Sequence, residues 1–172
     1  MHGLLLMAMT AANAQEVLLP HFSPSSFSDI SQAEYVERKV LKGLQALGMP
    51  VVPPSVLEQE FPISTECAEN PDCPSILFSR DEALMLIVGR VEVSSPNADG
   101  EVGYKIQVRI YSIQDSSPLQ IFTEEVPESG LEDFVRRVSQ EASVIYQLIP
   151  PPSPEVVEEP PPSLPPPPVI RL

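Results

Sequence analysis

At 172 residues and 18.8 kDa, the chain has room for one domain of ordinary size, or one domain with tails. Ten Lys+Arg against 24 Asp+Glu give a formal charge of -14, the wrong sign for gripping nucleic acid through its phosphates or an anionic membrane surface through charge. Two histidines, two cysteines and no tryptophan leave few residues for catalysis or metal binding, and the 22 prolines are unevenly spread.

Residues 3–9 are a short apolar run, and Ala12-Asn13-Ala14 after it is the small-residue pattern of an export signal. Cleavage between Ala14 and Gln15 would make 1–14 a signal peptide. The run falls well short of the ~20 apolar residues that span a bilayer, so no transmembrane segment is expected in this chain. Only His2 and the amino terminus precede the run, so the usual positive region is missing; the signal is minimal or the true start lies upstream. No cysteine follows the run, which excludes a lipid anchor at this cleavage position.

A short apolar strand is expected over 16–20, then a Ser/Phe/Pro loop over 21–28. Ser31 and Glu34 have the spacing of a capping box. Val36, Val40, Leu44 and Leu47 then recur at helical spacing, widened by Ala33 and Leu41. Gly48 sits where a left-handed C-terminal cap belongs, and 49–53 is a brief second strand confined by its prolines to an edge or an end. One or two helical turns follow over 55–61. Cys67 and Cys73 flank five polar, turn-prone residues. In an oxidising compartment they form a short-loop disulfide worth roughly 2 kcal/mol. Two cysteines with no nearby histidine are too few ligands for structural zinc, and the spacing is not that of a disulfide-exchange motif.

A further short helix is expected over 72–80. The run 83–89 is continuously apolar, the mark of a central strand covered on both faces. Strict alternation over 90–93 says that one face has become wet. Asp99-Gly100 is turn chemistry. In the next strand, 101–113, Val102, Tyr104, Ile106, Val108 and Ile110 form one face and Lys105, Gln107 and Arg109 the other. After a turn at 115–118, a third antiparallel strand runs over 119–126. Ser129 and Glu132 form a second capping box. Leu131, Phe134, Val135, Val138, Ala142, Ile145 and Ile149 make one apolar helical stripe, which Pro150 ends.

These elements predict an α/β domain of α+β character over 15–149. It has a single mixed sheet with a C-terminal three-strand antiparallel meander, and two long amphipathic helices packed on the sheet. Residues 150–172 are a proline-rich disordered linker or tail: 11 of the 19 residues from Pro150 to Pro168 are proline. Proline removes both helix and central strand, leaving an extended rod that at ~3.1 Å per residue reaches about 70 Å. A stiff spacer is the simpler use; docking on the aromatic groove of a recognition module is the other. A spacer followed by so little chain suggests that the frame once led to another domain or a membrane helix.

The order of elements resembles the periplasmic α/β domains of the TolB amino-terminal and CsgG-like group over residues 16–148. The residues that carry the likeness are Val17-Leu-Leu-Pro20, the helix-to-strand turn 44–52, the pair Cys67 and Cys73, and 86–93 running into a strand such as 104–110. The resemblance implies a Gram-negative envelope protein, periplasmic or secreted, that acts in assembly or scaffolding through an unidentified protein partner. The chain departs from that group in lacking a lipobox cysteine and any insertion that could supply transmembrane hairpins.

No residue set for catalysis, cofactor or metal binding is expected. His21, alone in the mature chain, reads as a solvated loop residue, and no Gly-x-Ser-x-Gly elbow or phosphate-cradling glycine loop is present. Glu124 and Glu125, adjacent on a strand, point to opposite faces and cannot share a proton. Asn97, Asp99 and Glu101 span too short a loop for calcium. The expected function is therefore a non-catalytic, exported interaction or assembly domain, with the strand 119–126 as a candidate edge for a partner unless Glu124 and Glu125 block pairing. A hydrolase with an unrecognised site and a secreted inhibitor or small-ligand carrier are the alternatives.

Overall fold

A strand as apolar as residues 83–88 needs cover on both sides, and the fold is built around that need. In the computed structural model, which describes residues 15–62, 66–80, 82–115 and 117–150, the elements run β1 (Glu16–Leu18), β2 (Ser23–Pro24), α1 (Ile30–Ala46), β3 (Val51–Val52), α2 (Pro54–Glu60), α3 (Cys73–Leu77), β4 (Ala83–Ser94), β5 (Gly103–Ser112), β6 (Gln120–Pro127) and α4 (Leu131–Leu148). One six-stranded mixed sheet has the order β3-β1-β4-β5-β6, with β2 also pairing β4. The β3, β1 and β4 side is parallel, whereas β4, β5 and β6 form the expected antiparallel meander. The expected signal segment, including Ala14, and the expected tail beyond Pro150 lie outside the described residues.

α1 and α4 lie against one face. Val36, Val40 and Leu44 of α1 and Phe134, Val138 and Ala142 of α4 join Ile87, Val91, Ile106, Val108 and Ile110 of the sheet in the larger core. Each such Leu, Ile or Val contributes about 1.5–3 kcal/mol when fully buried. The two helices approach closely where Gly43 faces Ser139: a Cβ on Gly43 would stand 2.4 Å from the Ser139 hydroxyl oxygen. The opposite face has a smaller core, in which Leu57, Cys67, Cys73 and Leu77 cover Leu18, Val52, Leu86, Val88 and Tyr111. Arg80, just after α3, binds Glu16 of β1 and Glu60 of α2, pinning this layer to the sheet. The second layer stops there. Beyond Val88 the same face carries Arg90 and Glu92 on β4, Lys105, Gln107 and Arg109 on β5, and Ile121, Thr123 and Glu125 on β6, brought side by side by the strand registers.

Several local expectations are corrected. Neither capping box forms. Ser31 lies inside α1 and donates to Gln32 Oε1 at 2.7 Å, because a turn of 3-10 helix (Phe27–Asp29) leads into the helix one step earlier. At the second site a 3-10 turn (Glu128–Gly130) precedes α4. There the Ser129 N–H donates to Glu101 Oε1 at 2.7 Å, and Glu132 turns to Lys39 Nζ at 2.8 Å. Distant carboxylates and cations satisfy groups that the local pattern assigned to each other. The loop over 21–28 contains β2, whose Ser23 and Pro24 pair in parallel with Arg90 and Val91. The short helix expected over 72–80 is only Cys73–Leu77. Gly48 does take the left-handed conformation, at φ +75°.

Gly89 is the hinge of this arrangement. Its bare Cα lies on the α1 side of β4 against the buried Phe22 ring, and a Cβ there would stand 2.4 Å from three ring atoms. Gly89→Ala therefore forces the ring or the strand to move and is expected to cost about 1–3 kcal/mol. Phe22→Leu should recover part of that loss in the double variant, giving a coupling energy of similar size in a denaturation cycle. Additive effects would show that the ring does not occupy this space.

Candidate functional site

Two polar constellations stand out. In the first, α1 carries Glu37, only 6% exposed, and brings its Oε2 to 2.8 Å from the Phe22 N–H and 3.2 Å from His21 Nδ1. His21 Nε2 lies 3.4 Å from Glu58 Oε2 on α2. The expectation of a solvated histidine fails: β1 ends close to both helices, so the ring is half-buried between two carboxylates. With both nitrogens facing acids, the ring has none left to take a proton from a hydroxyl. Ser23, buried nearby in sequence, makes no side-chain hydrogen bond to it. The arrangement ties β1 to α1 and α2 and does not have the geometry of a Ser-His-acid site. Among the described residues no group of three or more His, Cys, Asp and Glu is placed to hold a metal ion.

Burial pushes the Glu37 carboxyl above its ordinary value, against the lowering pull of the Phe22 amide and His21; the nearby Glu34 charge pushes the same way as burial. The folded protein thus holds this proton more tightly than the unfolded chain. Glu37's stabilising contribution is full below the ordinary carboxylate range and is lost as pH rises through the raised value. Glu37→Gln keeps an oxygen for the Phe22 amide without the charge, so its stability relative to the parent should rise as pH moves from that range to neutrality. Glu37→Ala, which strands a buried N–H, should lose about 1–3 kcal/mol. Denaturant titrations across pH check both; a parent-to-Gln difference independent of pH would contradict the raised carboxyl.

The second constellation joins the cysteine loop to the open part of the sheet. Cys67 and Cys73 form a disulfide with Cα atoms 5.2 Å apart, and both are buried. Between them Asn70 organises the turn: its Oδ1 accepts the Asp72 N–H at 2.9 Å and its carbonyl accepts the Cys73 N–H at 3.2 Å. In the same loop the Ala68 carbonyl accepts from Arg109 Nη2 at 3.3 Å. Arg109 also donates to Gln107 Oε1 through Nε and Nη2, at 3.1 and 2.7 Å. Arg90 donates to Ser25 Oγ at 3.3 Å and has Glu69 at 3.6 Å. Between the loop and the strands lies a cavity of about 580 Å3 lined by Arg90, Arg109, Tyr111, Glu69 and the prolines 71 and 74.

Of the residues singled out in the sequence, the cysteines therefore shape a cavity wall, whereas Gln15 only begins the described chain, its carbonyl accepting the Tyr146 hydroxyl at 2.8 Å. Glu124 and Glu125 both have partners: Arg137 of α4 grips Glu124 through two bonds of 2.7 and 2.6 Å, and Glu125 accepts from Ser94 at 3.0 Å. Arg137 also holds the Glu124 carboxyl below its usual range. Among the described residues β6 pairs with β5 alone. Sequence reasoning missed Glu37, Arg90 and Arg109 as members of sites. The alternation of 105–109 marked Arg109 as wet, but nothing local says that the cysteine loop folds beside it.

No family model and no curated protein matches the chain by sequence. Its fold is shared with a solved bacterial lipoprotein. The lipoprotein GNA1162 from Neisseria meningitidis aligns at 15% identity and a TM-score of 0.50, covering 78% of this chain and 96% of that one. A PelC dodecamer from Paraburkholderia phytofirmans aligns at 16% identity and a TM-score of 0.46, over 80% and 89% of the two chains. The hypothetical protein CT253 from Chlamydia trachomatis aligns at 9% and 0.47, over 79% and 97%. Among the described residues no helix is long and apolar enough to cross a membrane.

Proposed function

We propose that this chain is an exported, non-catalytic cell-envelope protein, periplasmic or secreted, whose domain over 15–149 holds a protein partner in an assembly. Residues 1–14 serve as its export signal and 150–172 as its spacer. The observation that carries the reading is the disulfide of Cys67 and Cys73: a bond of this kind, closed within a core and shaping a surface loop, belongs to an oxidising compartment. The likeness of arrangement to the TolB amino-terminal and CsgG-like domains supports an envelope setting, as does the fold shared with a solved lipoprotein. The histidine held between two carboxylates favours a structural role over a catalytic one. The edge of β6 and the open sheet face beside it offer a partner both backbone and side-chain contacts.

Intact mass of the protein from native cell fractions, with and without reductant and alkylating agent, tests this reading. The expected species begins at Gln15, comes from the periplasm or medium, and takes up alkylating groups only after reduction. A cytosolic species that retains Met1 and carries two free thiols would overturn it.

A further inference from the structure

The uncovered half of the sheet is a trough with built walls. Its floor is the face formed by Arg90, Glu92, Lys105, Gln107, Arg109 and Thr123. The cysteine loop makes one wall, enclosing the cavity of about 580 Å3, and Ser25 stands over a second cavity of about 210 Å3. The two cavities share Arg90 and so form one continuous surface.

The charge of this surface is balanced, unlike that of the molecule. On a chain of net charge -14 with ten Lys+Arg, three of those cations, Arg90, Lys105 and Arg109, lie together on the trough floor beside the carboxylates Glu69, Glu92 and Glu125, and Arg109 is the one of the three that no carboxylate reaches among the described residues. Arg109 is half-buried, yet its acceptors are an amide oxygen and a backbone carbonyl; among the described residues it has no carboxylate partner. Those bonds fix its guanidinium plane while leaving Nη1 without a partner among the described residues. Arg90 donates to the neutral Ser25 hydroxyl and has a long carboxylate contact to the exposed Glu69, and Lys105 has one to Glu92 at 3.7 Å. The Tyr111 side chain lines the same cavity with a hydroxyl that makes no hydrogen bond among the described residues. A partly desolvated guanidinium held by neutral acceptors is arranged to receive an anion, and its planar fork suits a carboxylate. An elongated surface with arginines set along it suits an extended chain bearing several such groups.

We infer that the trough binds an extended acidic peptide segment of a partner protein, with Arg109 and Arg90 receiving its carboxylates. This rests on the partner-binding reading above and gives that partner its chemistry. The cysteine loop presents the Ala68 carbonyl that orients Arg109, so the site depends on the disulfide. Binding should be lost on reduction.

The test is selection of short random peptides, displayed on phage, against the oxidised full chain, followed by anisotropy titration of the labelled winners. Winners should carry two or more Asp or Glu residues and weaken as salt rises. They should lose about tenfold or more in affinity in Arg109→Gln and in Arg90→Gln, and bind poorly after reduction. Thermal melts of both variants must match the parent; Lys105→Gln, at an exposed position, gives the same reading if Arg109→Gln fails to fold. No enriched peptide, enrichment of apolar or basic peptides, or acidic peptides indifferent to all three substitutions would overturn the assignment. Acidic peptides that bind only after deletion of residues 151–172 would give the trough to the chain's own tail, and would also overturn it. A cytosolic species would sink the envelope reading, whereas the binding is read on protein oxidised in vitro, so the two failures are distinguishable.

Discussion

The requirement that β4 be buried on both faces over its first half, and on one face over its second, organises the molecule. Ala83 to Val88 lie between two apolar layers, the long helices on one side and the layer of α2, α3 and the disulfide loop on the other. At Gly89 the strand passes under Phe22, and from Arg90 onward the second layer is gone. Covering the first half demands a second layer; ending that layer at Val88 leaves the meander with a bare polar face. The domain thereby gains a sheet surface with a wall on it. That surface follows from where an apolar run stops.

Polar contacts keep the layers in register. Glu37 reaches from α1 to the backbone of Phe22, the residue whose ring covers Gly89, so one buried carboxylate helps to set the ring that lets the strand pass. Arg80 does comparable work on the other face by joining β1 to α2. Arg137 ties α4 to the last strand through Glu124. The exposed pair of Arg137 and Glu124 is worth little by itself; the effect of such pairs is to choose one arrangement among several that bury similar apolar area. Glu37 differs because its burial makes its charge costly, and that is why its titration is coupled to stability.

Much of the fold was legible from periodicity. The alternation of 104–110 assigned each side chain of β5 to its correct face, and the stripes of α1 and α4 identified the helix faces that meet the sheet. The change of pattern after residue 89 located the end of two-sided cover. Contacts between residues far apart in sequence were not legible. Ser129 takes its partner from Glu101 and Glu132 takes Lys39, each more persuasive in three dimensions than the local capping rule. β2 is two residues long and contains a proline, so only its pairing with Arg90 and Val91 defines it. His21 looked isolated because its two partners sit on different helices. The candidate site was half visible: the cysteine pair and the wet face of β5 could each be read, but their adjacency depends on how the loop folds back over the sheet.

The central claim is that partners meet this protein on the open sheet face and not on the helices. A photo-crosslinking side chain placed in living cells at exposed Thr123, and separately at exposed Gln140 on α4, tests it most directly. The account predicts a discrete adduct from Thr123, abolished by Arg109→Gln, and none from Gln140. Adducts from Gln140 alone would place the working surface on the helical face and contradict the account.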